Sequence, residues 1–118
     1  MSTDCLFCKI AAGEVPATIV HEDEDVVAFR DIQPQAPTHV LVIPRRHAAT
    51  LPELAGEDGG EQALGRLMTA ISKVAELEGL APGDGFRLVI NTGERAAQSV
   101  FHVHAHVLGG RMFGWPPG

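Results

Sequence analysis

The chain has 118 residues, enough for one domain and too few for two ordinary ones, so we expect a single domain spanning 1–118. Hydrophobic residues make up 45% and charged residues 20%, which excludes the low hydropathy and high charge of disordered chains. Fifteen acidic against nine basic side chains give a net charge of -6, which disfavours nucleic acid and anionic membranes as partners and still allows a small anionic ligand.

The first half of the chain predicts one short helix and three strands. Asp4 supplies a capping carboxylate for a helix that ends before Gly13. Residues that favour strands stand on both sides of an acidic turn, so these two strands pair as a hairpin. The proline-rich segment 33–37 is a loop, because proline lacks an amide donor. The three strands are predicted at 18–22, 26–30 and 39–43.

The second half predicts one long helix and two further strands. Apolar residues recur at helical spacing over 60–79, which indicates an amphipathic helix that covers a sheet. The strands are predicted at 86–90 and 101–108. Short turns between strands, with one long helix inserted, indicate an α+β domain with a five-stranded, mainly antiparallel sheet, one long helix and one short helix.

The segment FHVHAHV at 101–107 alternates histidine with apolar residues through three cycles. Side chains of a strand alternate between its faces, so His102, His104 and His106 share one face while the apolar residues enter the core. Clustered imidazoles either ligate a catalytic metal, or let one neutral ring attack as a nucleophile while its neighbours orient it. The alternation alone leaves both chemistries open.

The sequence shows neither a membrane-spanning segment nor a secretory signal. No apolar run approaches the roughly 20 residues of a spanning helix, and the N-terminus lacks a basic head followed by an apolar core. The two cysteines, Cys5 and Cys8, are too few and too close for a secreted disulfide framework. We therefore expect a cytoplasmic protein, in which the C-x-x-C spacing indicates metal ligation, redox chemistry or two reduced thiols.

Five segments resemble the histidine triad family, in particular its nucleotide-binding branch of purine nucleoside phosphoramidases. They are DCLFCKI, AFRDIQPQAPTHVLVIPRRH, FRLVINTG, QSVFHVHAHVLGGR and WPPG, and they run almost end to end. The resemblance implies a HIT-like fold and cleavage of the P–N bond of purine nucleoside 5′-phosphoramidates, adenosine ones above all. It further implies a covalent nucleotidyl-histidine intermediate, no cofactor for catalysis, and a homodimer whose sheets join.

The resemblance also assigns a role to each histidine of the catalytic set. His104 is the nucleophile, His106 binds and polarises the phosphate, and His102 and His39 orient the pair. Other polar side chains donate hydrogen bonds to the phosphate or to the leaving group. These are Gln98, Ser99 and Asn91, of which Asn91 equally fits a tight turn.

The resemblance places the purine between apolar walls and the ribose on a carboxylate. The walls are Leu6, Phe7, Phe29 and Ile32, and the carboxylate is Asp31. The apolar residues would serve equally well as core, and Asp31 as a turn former. The tail 109–118 is expected at the dimer interface with Trp115 near the other subunit's site; the alternative is docking on its own chain.

A zinc site is a further expectation from the resemblance, because some relatives bind zinc. The ligands would be Cys5, Cys8, His47 and His102. Such a site is structural, since four protein ligands leave no open position for a catalytic water. Two reduced thiols are the equal alternative, and a redox pair has less support because the usual strand and helix context is missing.

Two positions depart from the family's pattern. Ala97 stands where glycine is expected before Gln98, so we expect a less permissive loop near the phosphate. Ala105 is smaller than the aliphatic residue expected between the last two histidines, which alters packing and not chemistry. Three other functions stay open: hydrolysis of dinucleoside polyphosphates, nucleotide sensing with little catalysis, and hydrolysis by a metal that the triad ligates.

Overall fold

One sheet forms the centre of the molecule in a computed structural model that describes residues 4–118. Its strands are β1 (Ile19–Glu22), β2 (Val26–Arg30), β3 (Thr38–Pro44), β4 (Arg87–Val89) and β5 (Ala105–Gly109). Each pairing between neighbours is antiparallel, and the strands stand in the order β1, β2, β3, β5, β4. The predicted five-stranded antiparallel sheet is confirmed.

Within the described residues, three α-helices accompany the sheet: α1 (Leu6–Ala11), α2 (Leu51–Gly56) and α3 (Gly60–Leu77). An irregular turn follows α3 at Leu80–Asp84, where Ala81 has extended backbone angles, and a 3-10 turn lies at Glu94–Ala96. The long helix and the first short helix match the prediction, so the α+β fold class is confirmed. Between residues 4 and 118, no helix combines the length and the hydropathy that crossing a bilayer requires.

The sheet is covered on both faces, because side chains of its central strands alternate in direction. Val26 and Ala28 of β2 belong to the core that α3 covers, and Val27 and Phe29 belong to the core under α1. Strands β2 and β3 are therefore almost continuous runs of buried residues. The short helix α1 consequently closes the face of the sheet opposite α3.

Two helix starts differ from the prediction. Helix α2 was not predicted. Thr50 caps it by accepting from the backbone N of Glu53, and the T-x-x-E spacing of a capping box was the local signal for this helix. Helix α1 is capped by Cys5 and not by Asp4, because the Cys5 Sγ accepts from the backbone N of Cys8 at 3.3 Å. This cap holds both thiols at the beginning of α1.

Strand β5 begins later than predicted, at Ala105 instead of Phe101. The ladder with β3 stops at the Val42 and Ala105 pair, close to Pro44, which has no amide hydrogen to continue it. The backbone N of Val103 instead donates to the Ala48 carbonyl at 2.9 Å. Phe101 is 50% exposed, so its expected burial is wrong. The bend before β5 determines where the histidines point.

Candidate active site

Strand β5 and the bend before it bring two histidines together in a cleft. The ring centroids of His104 and His106 lie 5.0 Å apart, and both rings line a cleft of about 840 Å³. Phe7 of α1 packs edge-on against His104 at 5.1 Å, which holds that ring against the wall. His104 is buried, so its exposed edge is narrow and faces the cleft. The sequence-predicted pair is therefore brought together.

His102 joins a different group of side chains. Phe7 also packs edge-on against its ring, so His102 and His104 lie on the same side of the sheet. The His102 Nε2 lies 2.8 Å from the Pro44 carbonyl oxygen, while its Nδ1 lies 3.3 Å from the Cys5 Sγ. The His102 ring is therefore bound elsewhere, and it is the His102 backbone carbonyl that contacts and orients His104.

The carbonyl of His102 fixes the tautomer of His104. The His104 Nδ1 lies 2.8 Å from the His102 carbonyl oxygen. A carbonyl oxygen only accepts hydrogen bonds, so the proton of the neutral ring is on Nδ1. The His104 Nε2 therefore keeps its lone pair, which is what a nucleophilic imidazole requires.

His39 contacts the other histidine of the cleft directly. The His39 Nε2 lies 2.9 Å from the His106 Nδ1 and 3.4 Å from the Asp31 Oδ2. Burial lowers the pKa of His39, and burial with the neighbouring His104 and His39 lowers the pKa of His106 from 6.5 to about 4. Both rings are therefore neutral at physiological pH.

Much of the predicted nucleotide set lines the same cleft. Phe7 and Phe29 meet edge-on at 5.5 Å, and Asp31 stands where β2 ends. The Asp31 Oδ1 accepts from the backbone N of Gln33 at 2.8 Å, so this carboxylate also forms the turn that was its alternative role. The predicted residues that line the cleft are Leu6, Phe7, Phe29, Asp31, Ile32, Ser99, His104 and His106.

Gln98 requires a correction. Its Nε2 donates to the carbonyls of Ala49 at 2.7 Å and Val100 at 3.1 Å, and its Oε1 accepts from the backbone N of Gly93 at 2.9 Å. Both amide hydrogens are thus occupied, and the side chain is buried away from the cleft. Gln98 holds the loop before the triad and has no hydrogen left for a phosphate.

Two other predicted residues lie apart from the cleft within this chain. Asn91 follows β4 and is absent from the cleft's lining. Trp115 is 82% exposed, with the Arg87 guanidinium 6.0 Å from its ring centroid. The role of Trp115 near a partner subunit's site stays a prediction.

Ala97 adopts the backbone conformation that glycine favours. Among the described residues it is the one non-glycine residue with a positive φ, at 64°. A left-handed conformation costs an L-residue about 1 kcal/mol, and the buried Gln98 amide that follows holds the loop in this shape. The departure seen in the sequence therefore falls at the position where glycine has a conformational advantage.

Four side chains from three distant parts of the chain converge beside the cleft. The ligand atoms of Cys5, Cys8, His47 and His102 all lie within 4.8 Å of one another. The Cys8 Sγ is 3.3 Å from the His47 Nδ1. Because the His102 Nε2 carries the hydrogen that binds Pro44, its Nδ1 keeps the lone pair that a metal needs.

These four residues fit a structural zinc ion better than a redox pair. Two sulfurs and two imidazole nitrogens are the donor set of tetrahedral zinc sites. Burial and the neighbouring Cys5 raise the pKa of the metal-free Cys8 thiol to about 11, which disfavours a reactive thiolate, whereas a zinc ion would deprotonate the thiols that bind it. The structure thus agrees with the expected ligand set.

The lowered pKa of His106 predicts acid sensitivity of the fold. The unfolded chain takes up a proton near pH 6.5, whereas folded His106 resists it down to about pH 4, so protonation favours unfolding between these values. We expect the free energy of unfolding, measured with urea at several pH values, to fall across that window. His106→Gln cannot titrate and should show a shallower fall; an equal slope in both proteins would contradict the assignment.

Comparison with known proteins gives the same family as the sequence resemblance. A HIT domain family model matches residues 12–113. A purine nucleoside phosphoramidase of Escherichia coli strain K12 is 48% identical over 97% of this chain and 93% of its own length. A 14 kDa zinc-binding protein of Zea mays is 49% identical over 96% of this chain and 87% of its own. The crystal structure of a HIT family hydrolase from Legionella pneumophila Philadelphia 1 superposes with a TM-score of 0.90 at 50% identity, covering 98% of this chain and all of that one.

Proposed function

The chain belongs to the HIT domain family, and on this basis we propose that it hydrolyses the P–N bond of purine nucleoside 5′-phosphoramidates. The observation that carries the proposal is the His104 ring, whose Nδ1–H is bound to the His102 carbonyl and whose Nε2 lone pair is free in the cleft. The similar phosphoramidase from Escherichia coli supports the substrate class.

In the first step, the His104 Nε2 attacks phosphorus and a new N–P bond forms. The P–N bond of the substrate breaks, and the amine leaves with the bonding electron pair. Ser99 lines the cleft and relays a proton from water to the departing amine, and the hydroxide left behind takes up the proton that the second step releases. The products of this step are a nucleotidyl-histidine and the free amine.

In the second step, water attacks the phosphorus of the nucleotidyl-histidine. The N–P bond breaks and its electron pair returns to the His104 Nε2, while a proton of the water goes to solvent. The neutral His106 donates a hydrogen bond to the phosphate in both steps, which stabilises the negative charge that develops on its oxygens. The nucleoside monophosphate is then released.

The rest of the cleft fits a purine nucleoside. The rings of Phe7 and Phe29 offer flat apolar walls for a base, Leu6 adds an aliphatic one, and Ile32, at 94% exposure, stands at the rim. Asp31 accepts hydrogen bonds from the ribose hydroxyls through the oxygen that does not bind Gln33. We further propose that the enzyme acts in the cytoplasm and needs no cofactor for catalysis.

We also propose that the enzyme is a homodimer. Strand β4 ends the sheet, so its outer edge is available for pairing with a second copy. The tail beside it leaves Met112 and Trp115 at 91% and 82% exposure, which a partner would cover. The tail 109–118 would then lie at the interface.

The test compares two substrates on the purified, metal-loaded protein. We expect adenosine 5′-phosphoramidate to be hydrolysed to the monophosphate, with kcat/KM far above that for a diadenosine polyphosphate. A preference for the polyphosphate would assign hydrolysis of dinucleoside polyphosphates instead. Turnover of neither substrate would leave nucleotide binding as the function. Activity that survives chelation on a folded protein would exclude a metal held by the triad.

A further inference from the structure

A line of hydrogen bonds runs from the proline-rich loop to His106. The backbone N of Gln35 lies 3.0 Å from the His39 Nδ1. A backbone amide only donates, so the His39 Nδ1 accepts and the proton of the neutral ring is on Nε2. That proton faces the His106 Nδ1 at 2.9 Å, so His106 in turn carries its own proton on Nε2.

The His106 Nε2 is the end of this line. Among the residues between 4 and 118, it is the one buried side-chain nitrogen or oxygen that lacks a hydrogen-bond partner. Buried polar groups nearly always have a hydrogen-bond partner, and His106 lines the cleft. We infer that the partner of this N–H is a ligand bound in the cleft. His104 and His106 thus present opposite groups to the cleft: a lone pair and a donor.

The backbone of Gln35 is also held from the C-terminal side of the chain, through its carbonyl group. The Arg111 Nε donates to the Gln35 carbonyl at 3.1 Å. Next to it, Gly110 has a φ of +90°, and a Cβ added there would lie 2.9 Å from the Pro37 Cβ. The segment after β5 therefore packs tightly on the loop that contains Gln35.

We propose that Arg111 is a positioning residue for the reaction: by fixing the backbone of Gln35, whose N–H binds His39, it keeps His106 as a hydrogen-bond donor to the phosphate. This inference rests on the proposed hydrolase function. The opposite tautomer of His39 would present a lone pair to His106, move the His106 proton to Nδ1, and turn a second lone pair toward the anionic phosphate. Arg111 acts without touching the substrate.

The test begins with the tautomers of the free protein, read from long-range ¹H–¹⁵N correlation spectra of the histidine rings. In the unaltered protein we expect His39 and His106 protonated on Nε2, and His104 protonated on Nδ1. Arg111→Met should produce a second population or broadening at His39 and His106 while leaving His104 unchanged. Arg66→Met, which removes an exposed arginine paired with Asp25, is the matched control.

Kinetics form the second arm. Removal of one hydrogen-bond donor to the reacting group typically lowers kcat by about 10²–10³-fold. In Arg111→Met the His106 donor is misplaced and not removed, so we expect kcat to fall about tenfold and KM to change less. Arg111 also stacks on Phe113 at 4.2 Å. Arg111→Lys keeps a donor for the Gln35 carbonyl and loses the planar stacking, so recovery of kcat by lysine assigns the effect to Gln35.

Unchanged tautomers and unchanged kcat in Arg111→Met would overturn the proposal, as would failure of Arg111→Lys to recover any of the loss. Light scattering on each variant checks that the oligomeric state is the same. If the unaltered protein shows no phosphoramidate turnover, the proposed function fails, and the ring spectra still decide whether Arg111 sets the tautomers.

Discussion

His104→Ala is expected to lower the turnover of adenosine 5′-phosphoramidate by about 10⁴-fold or more, because removal of a nucleophile eliminates the covalent route. Adenosine monophosphate should still bind, since the apolar walls and Asp31 lie on other elements. Steady-state kinetics and isothermal titration calorimetry on the same preparation measure the two quantities separately.

His21→Ala is the matched control for this loss. His21 lies on β1 and pairs with Asp23 at 3.4 Å, outside the cleft. The His21→Ala variant should retain the kinetics of the unaltered protein. Turnover by His104→Ala at an undiminished rate would show that another group is the nucleophile.

Zinc is expected to stabilise the fold strongly through the four converging ligands. Free zinc at 100 times its dissociation constant would add about 2.7 kcal/mol to the free energy of unfolding. For a domain of this size that corresponds to a rise in Tm of about 10 °C or more, measurable by calorimetry with zinc against a chelator.

Cys8→Ala tests whether that stabilisation comes from this site. Removal of one of the four ligands should abolish most of the response to zinc, and His47→Ala should act in the same direction, because His47 contacts both Cys8 and His102. An unaltered protein whose Tm is the same with zinc and with chelator would assign Cys5 and Cys8 as two reduced thiols.

The sequence predicts the sheet and the long helix well, because their patterns are local. Alternation along β2 and β3 and the helical spacing over α3 follow from which faces are buried. The start of β5 is less predictable, since it depends on Pro44, a residue of a neighbouring strand that is distant in the sequence. The alternating histidine pattern begins at His102, before the hydrogen-bond ladder between β3 and β5 starts at Ala105.

The candidate site is predictable in its membership and not in its hydrogen bonds. The triad pattern identifies His104 and His106, but the separate use of His102 depends on residues 5, 8 and 47 folding onto it. Gln98 looks suited to a phosphate until its amide is found bonded to two backbone carbonyls. Arg111 has no local signal at all, because its partner Gln35 lies 76 positions earlier.

The most direct measurement is mass spectrometry of the protein quenched in acid-free denaturant during turnover of adenosine 5′-phosphoramidate. The account predicts a fraction of the protein carrying one added nucleoside monophosphate, mapped by peptide fragmentation to His104 and missing from His104→Ala. An adduct on His106, or rapid turnover with no adduct at any quench time, would contradict it.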